Sequence, residues 1–396
     1  MQIIDLKQHQ SIPPVLRLGF RPFFLGGAAF ALAAVLLWLI ALNGLTSVWQ
    51  PAGGWLGWHR HEMFFGFATA IIAGFLLTAV QNWTGRPGLA GKPLGWLAAL
   101  WLAARLAWLA NAPGWLLLPL ELAFLPAVMV VLGRPIWQVR QVRNYPVLLV
   151  LLVLTGANAM VTAGVVSDNA TLQQRGGLAA VWVIVTLLGL IGGRVIPFFT
   201  RRGLDLKGKA EDLRWVDWLA LGGGLCMAGL TAAGLADRAH GAMAVLCFSL
   251  ALGHCFRVVH WYDQGIWRVP LLWSLHLAYA WLVVGLFGLG LWQAGVIAAP
   301  SLPLHALTMG AMGGAILAMV ARVTLGHTGR QLLPPAAMGP AFALLNAGVL
   351  ARVGVAALWP APGLALAGLC WALAFAIFLW HYAPMLVAAR VDGHPG

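Results

Sequence analysis

The chain has 396 residues, 61% of them hydrophobic and only 9% charged, with 21 Trp, 17 Phe and a mean hydropathy of +0.86. Soluble domains carry about a quarter charged residues, and 24 basic plus 11 acidic side chains cannot cover a soluble surface of this size, so a water-soluble fold is excluded. The formal charge of +13 would point to nucleic acid only on a water-facing basic patch; in so apolar a chain the excess of Lys and Arg reports orientation in a lipid bilayer, and no nucleic-acid partner is expected.

At roughly 20 residues per spanning helix, the apolar runs predict about twelve transmembrane helices, at 23–43, 59–81, 94–110, 114–133, 146–166, 177–199, 215–235, 240–259, 270–293, 303–323, 336–357 and 361–388. The fold class is therefore all-α, a polytopic membrane bundle, with 1–396 forming a single integral membrane domain. The first run follows Arg17 and Arg21 and is too long for a signal-peptide core, so it reads as a retained helix. With a cytoplasmic N-terminus, only Arg60, Arg105, Arg175, Arg238 and Arg352 of the 24 Lys and Arg fall on the outer side, and an even helix number puts both termini inside. Cys226, Cys247, Cys255 and Cys370 lie in or at the edges of apolar runs with no C-x-x-C pair, which removes a thiolate zinc site and a covalent c-type haem attachment. Walker, Rossmann, zincin and Ser-His-Asp patterns are absent from the sequence.

Comparing runs reveals a repeat. His61-Glu-Met-Phe-Phe-Gly66 leads to Thr84-Gly85-Arg86, and His305-Ala-Leu-Thr-Met-Gly310 leads to Thr328-Gly329-Arg330, every paired position being offset by 244 residues. The sixth run fits the same frame, with Arg194-Val195 and Thr200-x-Arg202 lying 128 residues before Arg322-Val323 and Thr328-x-Arg330 and with Gly177 at the histidine position. Runs two, six and ten are four apart, the spacing of three four-helix pseudo-repeats around a pseudo-threefold axis.

Polar side chains inside a membrane are functional candidates by default. His59 and His61 begin the second run and His305 the tenth, with Met309 and Met312 following His305 on one face. Imidazole with thioether is a ligand set suited to haem b or copper; helix-end histidines that snorkel or cap carbonyls are the plain alternative. His59 and His61 point about 200° apart on an ideal helix, so one of them faces away from any shared ion. His61 and His305, matched in the repeat, are expected to form a haem ligand pair. A second, cytoplasmic set comprises His276, on one face with Tyr279, and His327, as a weaker metal site or as packing and capping groups. His254, His260 and His381 are read as interfacial, and His9, His240 and His394 as loop or terminal residues without a role. Glu62, beside two histidines at a helix N-terminus, stabilises the helix dipole or hydrogen-bonds a ligating imidazole.

The strings LGFRPFF (18–24), WHRHEMFFGF (58–67), NWTGRP (82–87), GGRVIPFFT (192–200), PLLWSLH (270–276) and HALTMGAMGGAILAMVARVTLGHTGR (305–330) resemble the NnrS family over residues 15 to 390. The resemblance implies a twelve-helix haem- and copper-containing protein of the bacterial inner membrane, linked to nitric oxide stress and denitrification. It carries the family's histidines onto His59, His61, His276, His305 and His327. Haem-copper oxidases and nitric oxide reductases are similar in layout, with haem histidines on helices two and ten, but this chain lacks histidines in runs six and seven, so any copper needs other ligands. Two function classes follow: a haem-copper protein that binds or reacts with nitric oxide, as a possible oxidoreductase, or a membrane transporter or channel for a small molecule or metal complex.

Overall fold

The computed structural model describes residues 11–45, 49–207, 213–236, 238 and 240–394; Lys7, His9 and Lys209 fall outside them. Among the described residues the chain is helical with no strand. Twelve helices follow one another: α1 Phe20–Leu42, α2 Gly54–Thr84, α3 Lys92–Leu109, α4 Gly114–Gln138, α5 Tyr145–Val166, α6 Ala170–Gly203, α7 Arg214–Ala232, α8 His240–Trp261, α9 Pro270–Gln293, α10 Ser301–His327, α11 Met338–Leu358 and α12 Pro360–Val387. Each overlaps a predicted span. Eleven are long and apolar enough to cross a membrane, which makes this a multi-pass membrane protein; the remaining helix, α3, carries Lys92 and Arg105.

Local chemistry fixes the helix ends. Proline occupies the first turn of α3, α5 and α9, where its missing N–H has no helical partner to lose. The Thr-Gly-Arg pair of the repeat is a helix stop. Gly85 and Gly329 adopt φ of +65° and +75°, the left-handed conformation that ends a helix, while Thr84 and Thr328 each donate their hydroxyl to the carbonyl four residues back at 2.7 Å.

The repeat also shows in the backbone. In α2 the α-helical hydrogen bonding gives way to a π-helical stretch at Glu62–Ala68, directly after His61, and in α10 at Ala306–Gly313, directly after His305. Such stretches insert a residue into the helix and occur at functional sites. Helix α6, the third member, stays α-helical throughout, so the two-to-ten match has a structural counterpart that the six-to-ten match lacks.

The helices form two compact units, one of Met1–Gly177, Val320–Pro335 and Phe375–Gly396, the other of Leu178–Met319 and Ala336–Ala374. In the first, α1 and α4 pack on α2, and the core holds Phe20, Phe23, Phe65, Phe67, Trp58 and Trp108. In the second, α9 packs on α8 and on the π stretch of α10. Exposed tryptophans collect near helix ends and loops: Trp96, Trp115, Trp137, Trp218, Trp359 and Trp380, the placement expected of rings seated at a membrane interface.

Three arginines counted as topology signals are buried structural groups. Arg21 donates to the carbonyls of Met385, Leu386 and Ala388 and so closes the end of α12. Arg105 and Arg257 sit inside the two polar networks described next.

Candidate functional site

Helix α2 delivers His61 and Glu62 into the first unit as neighbours, and both are fully enclosed. His61 Nδ1 meets Glu62 Oε1 at 2.9 Å, and its Nε2 meets Asn158 Oδ1 of α5 at 3.1 Å and Glu121 Oε1 of α4 at 3.4 Å. Arg105 of α3 donates Nη1 to both Glu62 oxygens at 2.9 Å each and Nη2 to Glu121 Oε2. Glu121 also accepts from Trp108 Nε1 at 3.0 Å and from Asn158 Nδ2 at 2.8 Å. The indole of Trp108 stacks on the His61 ring, centroids 3.7 Å apart. Two carboxylates removed from water are costly unless paired and hydrogen-bonded, and Arg105, shared by both, provides the pairing.

Glycine permits this arrangement. A Cβ at Gly66 would lie 2.5 Å from Glu62 Oε2 and 2.6 Å from Phe30, so the π stretch passes the ion pair only without a side chain. Its repeat partner Gly310 has the same role against Trp281, whose Cγ would lie 2.6 Å from an added Cβ. The expected dipole role of Glu62 is corrected here: α2 starts at Gly54, two turns earlier, so Glu62 is an interior residue held by His61 and Arg105.

His59 occupies a different environment, half-buried with its ring stacked on Trp38 at 4.6 Å, in keeping with the opposed directions expected for the pair. His305, half-buried in the second unit, donates Nδ1–H to the Ser301 carbonyl at 2.7 Å. A carbonyl can only accept, so that bond places a proton on Nδ1 and makes Nε2 the nitrogen through which this imidazole would ligate a metal. His276 sits with Thr200: its Nε2 lies 2.9 Å from Thr200 Oγ1, which itself donates to the Ile196 carbonyl. His327 packs on Phe20 with centroids 5.6 Å apart, and its carbonyl accepts from Arg390.

A second network was missed in sequence. Tyr279 packs with His254, not with His276. Its hydroxyl accepts from Arg257 Nη1 at 3.2 Å and shares a hydrogen bond with His254 Nδ1 at 2.8 Å, while Arg257 also donates to the Gly189 carbonyl at 2.8 Å and pairs with Asp217. Three glycines of α6 make room for it. An added Cβ would come within 2.9 Å of the His254 ring at Gly189, 2.8 Å of Tyr279 at Gly192 and 2.9 Å of Arg257 at Gly193. His254 is therefore a buried residue and not an interfacial one, whereas His260 is exposed. The signal available beforehand was the Gly189, Gly192, Gly193 spacing. His240, assigned no role, bonds Gln293 at 2.7 Å.

Among the described residues no three His, Cys, Asp or Glu side chains stand together as a metal-ion group. The donor chemistry fits haem iron at His305, whose Nδ1 is turned to the Ser301 carbonyl. It fits less directly at His61, where both ring nitrogens face oxygen acceptors and ligation requires surrender of the contacts to Asn158 and Glu121. Compared with known proteins, residues 14–390 match the family described as NnrS protein. No curated protein matches the chain.

Proposed function

The chain belongs to the NnrS family, and from that premise we propose that it is a haem b- and copper-binding protein of the bacterial inner membrane that binds or reacts with nitric oxide and protects against nitrosative stress in denitrification. The observation that carries the reading is the pairing of histidine with a broken helix: His61 and His305, 244 residues apart within matching strings, each stand immediately before a π-helical stretch. His59, His61 and His305 are the residues assigned to haem, and His59, His61, His276, His305 and His327 the candidates for metal ligation. Haem iron supplies a centre that holds nitric oxide and exchanges electrons, and copper a second redox-active metal. The chain's own residues orient the imidazoles: the Ser301 carbonyl holds His305, Glu62 holds His61, and Thr200 holds His276.

A transporter or channel is the second reading. What favours it is that charged groups of α2, α3, α4 and α8 are enclosed among helices, a feature of substrate pathways. Growth under nitric oxide separates the two: cells expressing the protein outgrow cells expressing His305→Ala at equal membrane abundance if the haem reading is right. Equal tolerance with the two proteins would contradict it.

A further inference from the structure

Ser301 joins two residues that sequence kept apart. Its carbonyl accepts His305 Nδ1–H at 2.7 Å, and its Oγ accepts from Arg352 Nη2 of α11 at 2.8 Å. Arg352 is thereby held beside His305 through one shared residue. A second rung lies one helical turn away on both helices: Met309 follows His305 by four residues, Gly348 precedes Arg352 by four, and a Cβ at Gly348 would stand 2.8 Å from Met309 Cε. The backbone that carries Arg352 is itself broken, with a π-helical stretch at Ala351–Val355.

Arg352 has no carboxylate partner among the described residues, and it is half-buried. The acids Glu62 and Glu121 are committed to Arg105 in the other unit. A guanidinium partly withdrawn from water without a counter-ion is an acceptor for an anion, and its planar fork matches a carboxylate through two parallel hydrogen bonds.

We propose that Arg352 is a carboxylate-binding residue of the His305 site and takes a propionate of the porphyrin. The inference rests on the reading of His305 as a haem ligand. In it Arg352 is a positioning residue: it fixes the edge of the macrocycle while the Ser301-oriented imidazole approaches the iron. The same chemistry would also recognise a small free anion such as nitrite, and the two sources separate experimentally.

The test uses the full-length protein in detergent, freed of haem and reloaded with either haem b or its dimethyl ester, in which both propionates are capped. Haem transfer to an excess of apomyoglobin is then timed for the wild type, Arg352→Gln, Arg352→Lys and His305→Ala. Arg352→Gln is expected to release haem b about tenfold faster than the wild type, the factor for one charge-assisted hydrogen-bonded pair. Arg352→Lys should fall between them, showing that charge and not folding is at issue. The wild type should release the ester as fast as Arg352→Gln releases either pigment. Equal release of haem b by the wild type and Arg352→Gln overturns the inference, as does a wild type indifferent to esterification. A nitrite-induced spectral change that Arg352→Gln abolishes while haem release stays unchanged overturns it in favour of a free anion. Unaltered haem uptake by His305→Ala overturns the underlying ligand assignment instead.

Discussion

Arg105 grips Glu62 through both carboxylate oxygens, 2.9 Å to each, from a helix in which its own charge is buried. With its other terminal nitrogen on Glu121, it lets α2, α3 and α4 share one buried charge cluster. Arg105→Ala leaves two enclosed carboxylates facing each other and is expected to cost about 3–5 kcal/mol, the range for breaking a buried pair from one side. Arg105→Lys should recover little, because an ammonium cannot reproduce the fork. Thermal unfolding in detergent checks both; a near-normal midpoint for Arg105→Ala would show that the cluster does not hold these helices together.

The two repeat-related histidines are predicted to differ in kind when removed. His61→Ala deprives Glu62 and Asn158 of a partner and empties the face of Trp108, so it should lose stability as well as haem. His305→Ala gives up a bond to the carbonyl of the exposed Ser301 rather than a place in a fully enclosed ion-pair network, so it should lose haem absorbance with a smaller loss of stability than His61→Ala. Abundance in the membrane together with the Soret band distinguishes the outcomes, and failure of both proteins to accumulate would assign the histidines to folding alone.

Glycines sort by what lies above them. Gly66→Ala and Gly310→Ala each press a methyl into an occupied space and are expected to destabilise by about 1–3 kcal/mol. Gly229 lies in α7 with nothing within 4 Å of an added Cβ, so Gly229→Ala should be neutral or stabilising by up to about 1 kcal/mol. Unfolding midpoints that do not follow this order would contradict the packing described.

Tyr279→Phe removes the hydroxyl between Arg257 and His254 and keeps the ring. Both neighbours then lose a buried hydrogen bond, at an expected cost of about 1–3 kcal/mol, and Tyr279→Phe combined with His254→Phe should cost less than the sum of the two single changes. Additive losses would show that the two side chains act independently.

His276 and His327 lie in different units with different companions, Thr200 for one and Phe20 for the other. The double variant His276→Ala, His327→Ala is expected to lower the copper content and leave haem unchanged. Metal analysis showing both unchanged would leave the pair as packing groups.

Much of the fold was legible because a membrane demands long apolar runs, and each of α1 to α12 overlaps a run read from composition. The helix ends were less so. Helix α6 begins at Ala170, ahead of the predicted 177, because Thr171, Gln173 and Arg175 interrupt the apolar pattern without breaking the helix. The offset of 244 marked the paired glycines, because Glu62 and Phe30 over Gly66 and Trp281 over Gly310 leave no room for a Cβ, but the π stretches around them were not legible. Partner choice was not legible. Arg105, Glu121 and Asn158 are scattered over three helices, and Tyr279 shares a helical face with His276 yet turns to His254, since a helical repeat gives direction around one axis and says nothing of what the next helix presents.

Whether nitric oxide reaches a haem in this protein is read from an optical spectrum of the purified, reduced protein recorded before and after exposure to nitric oxide. The sharp α and β bands of haem b are expected, shifted on addition of nitric oxide and missing from His305→Ala. A purified, folded wild-type protein that takes up haem yet shows no spectral response to nitric oxide, or one whose spectrum survives the loss of His305, would contradict the proposed function.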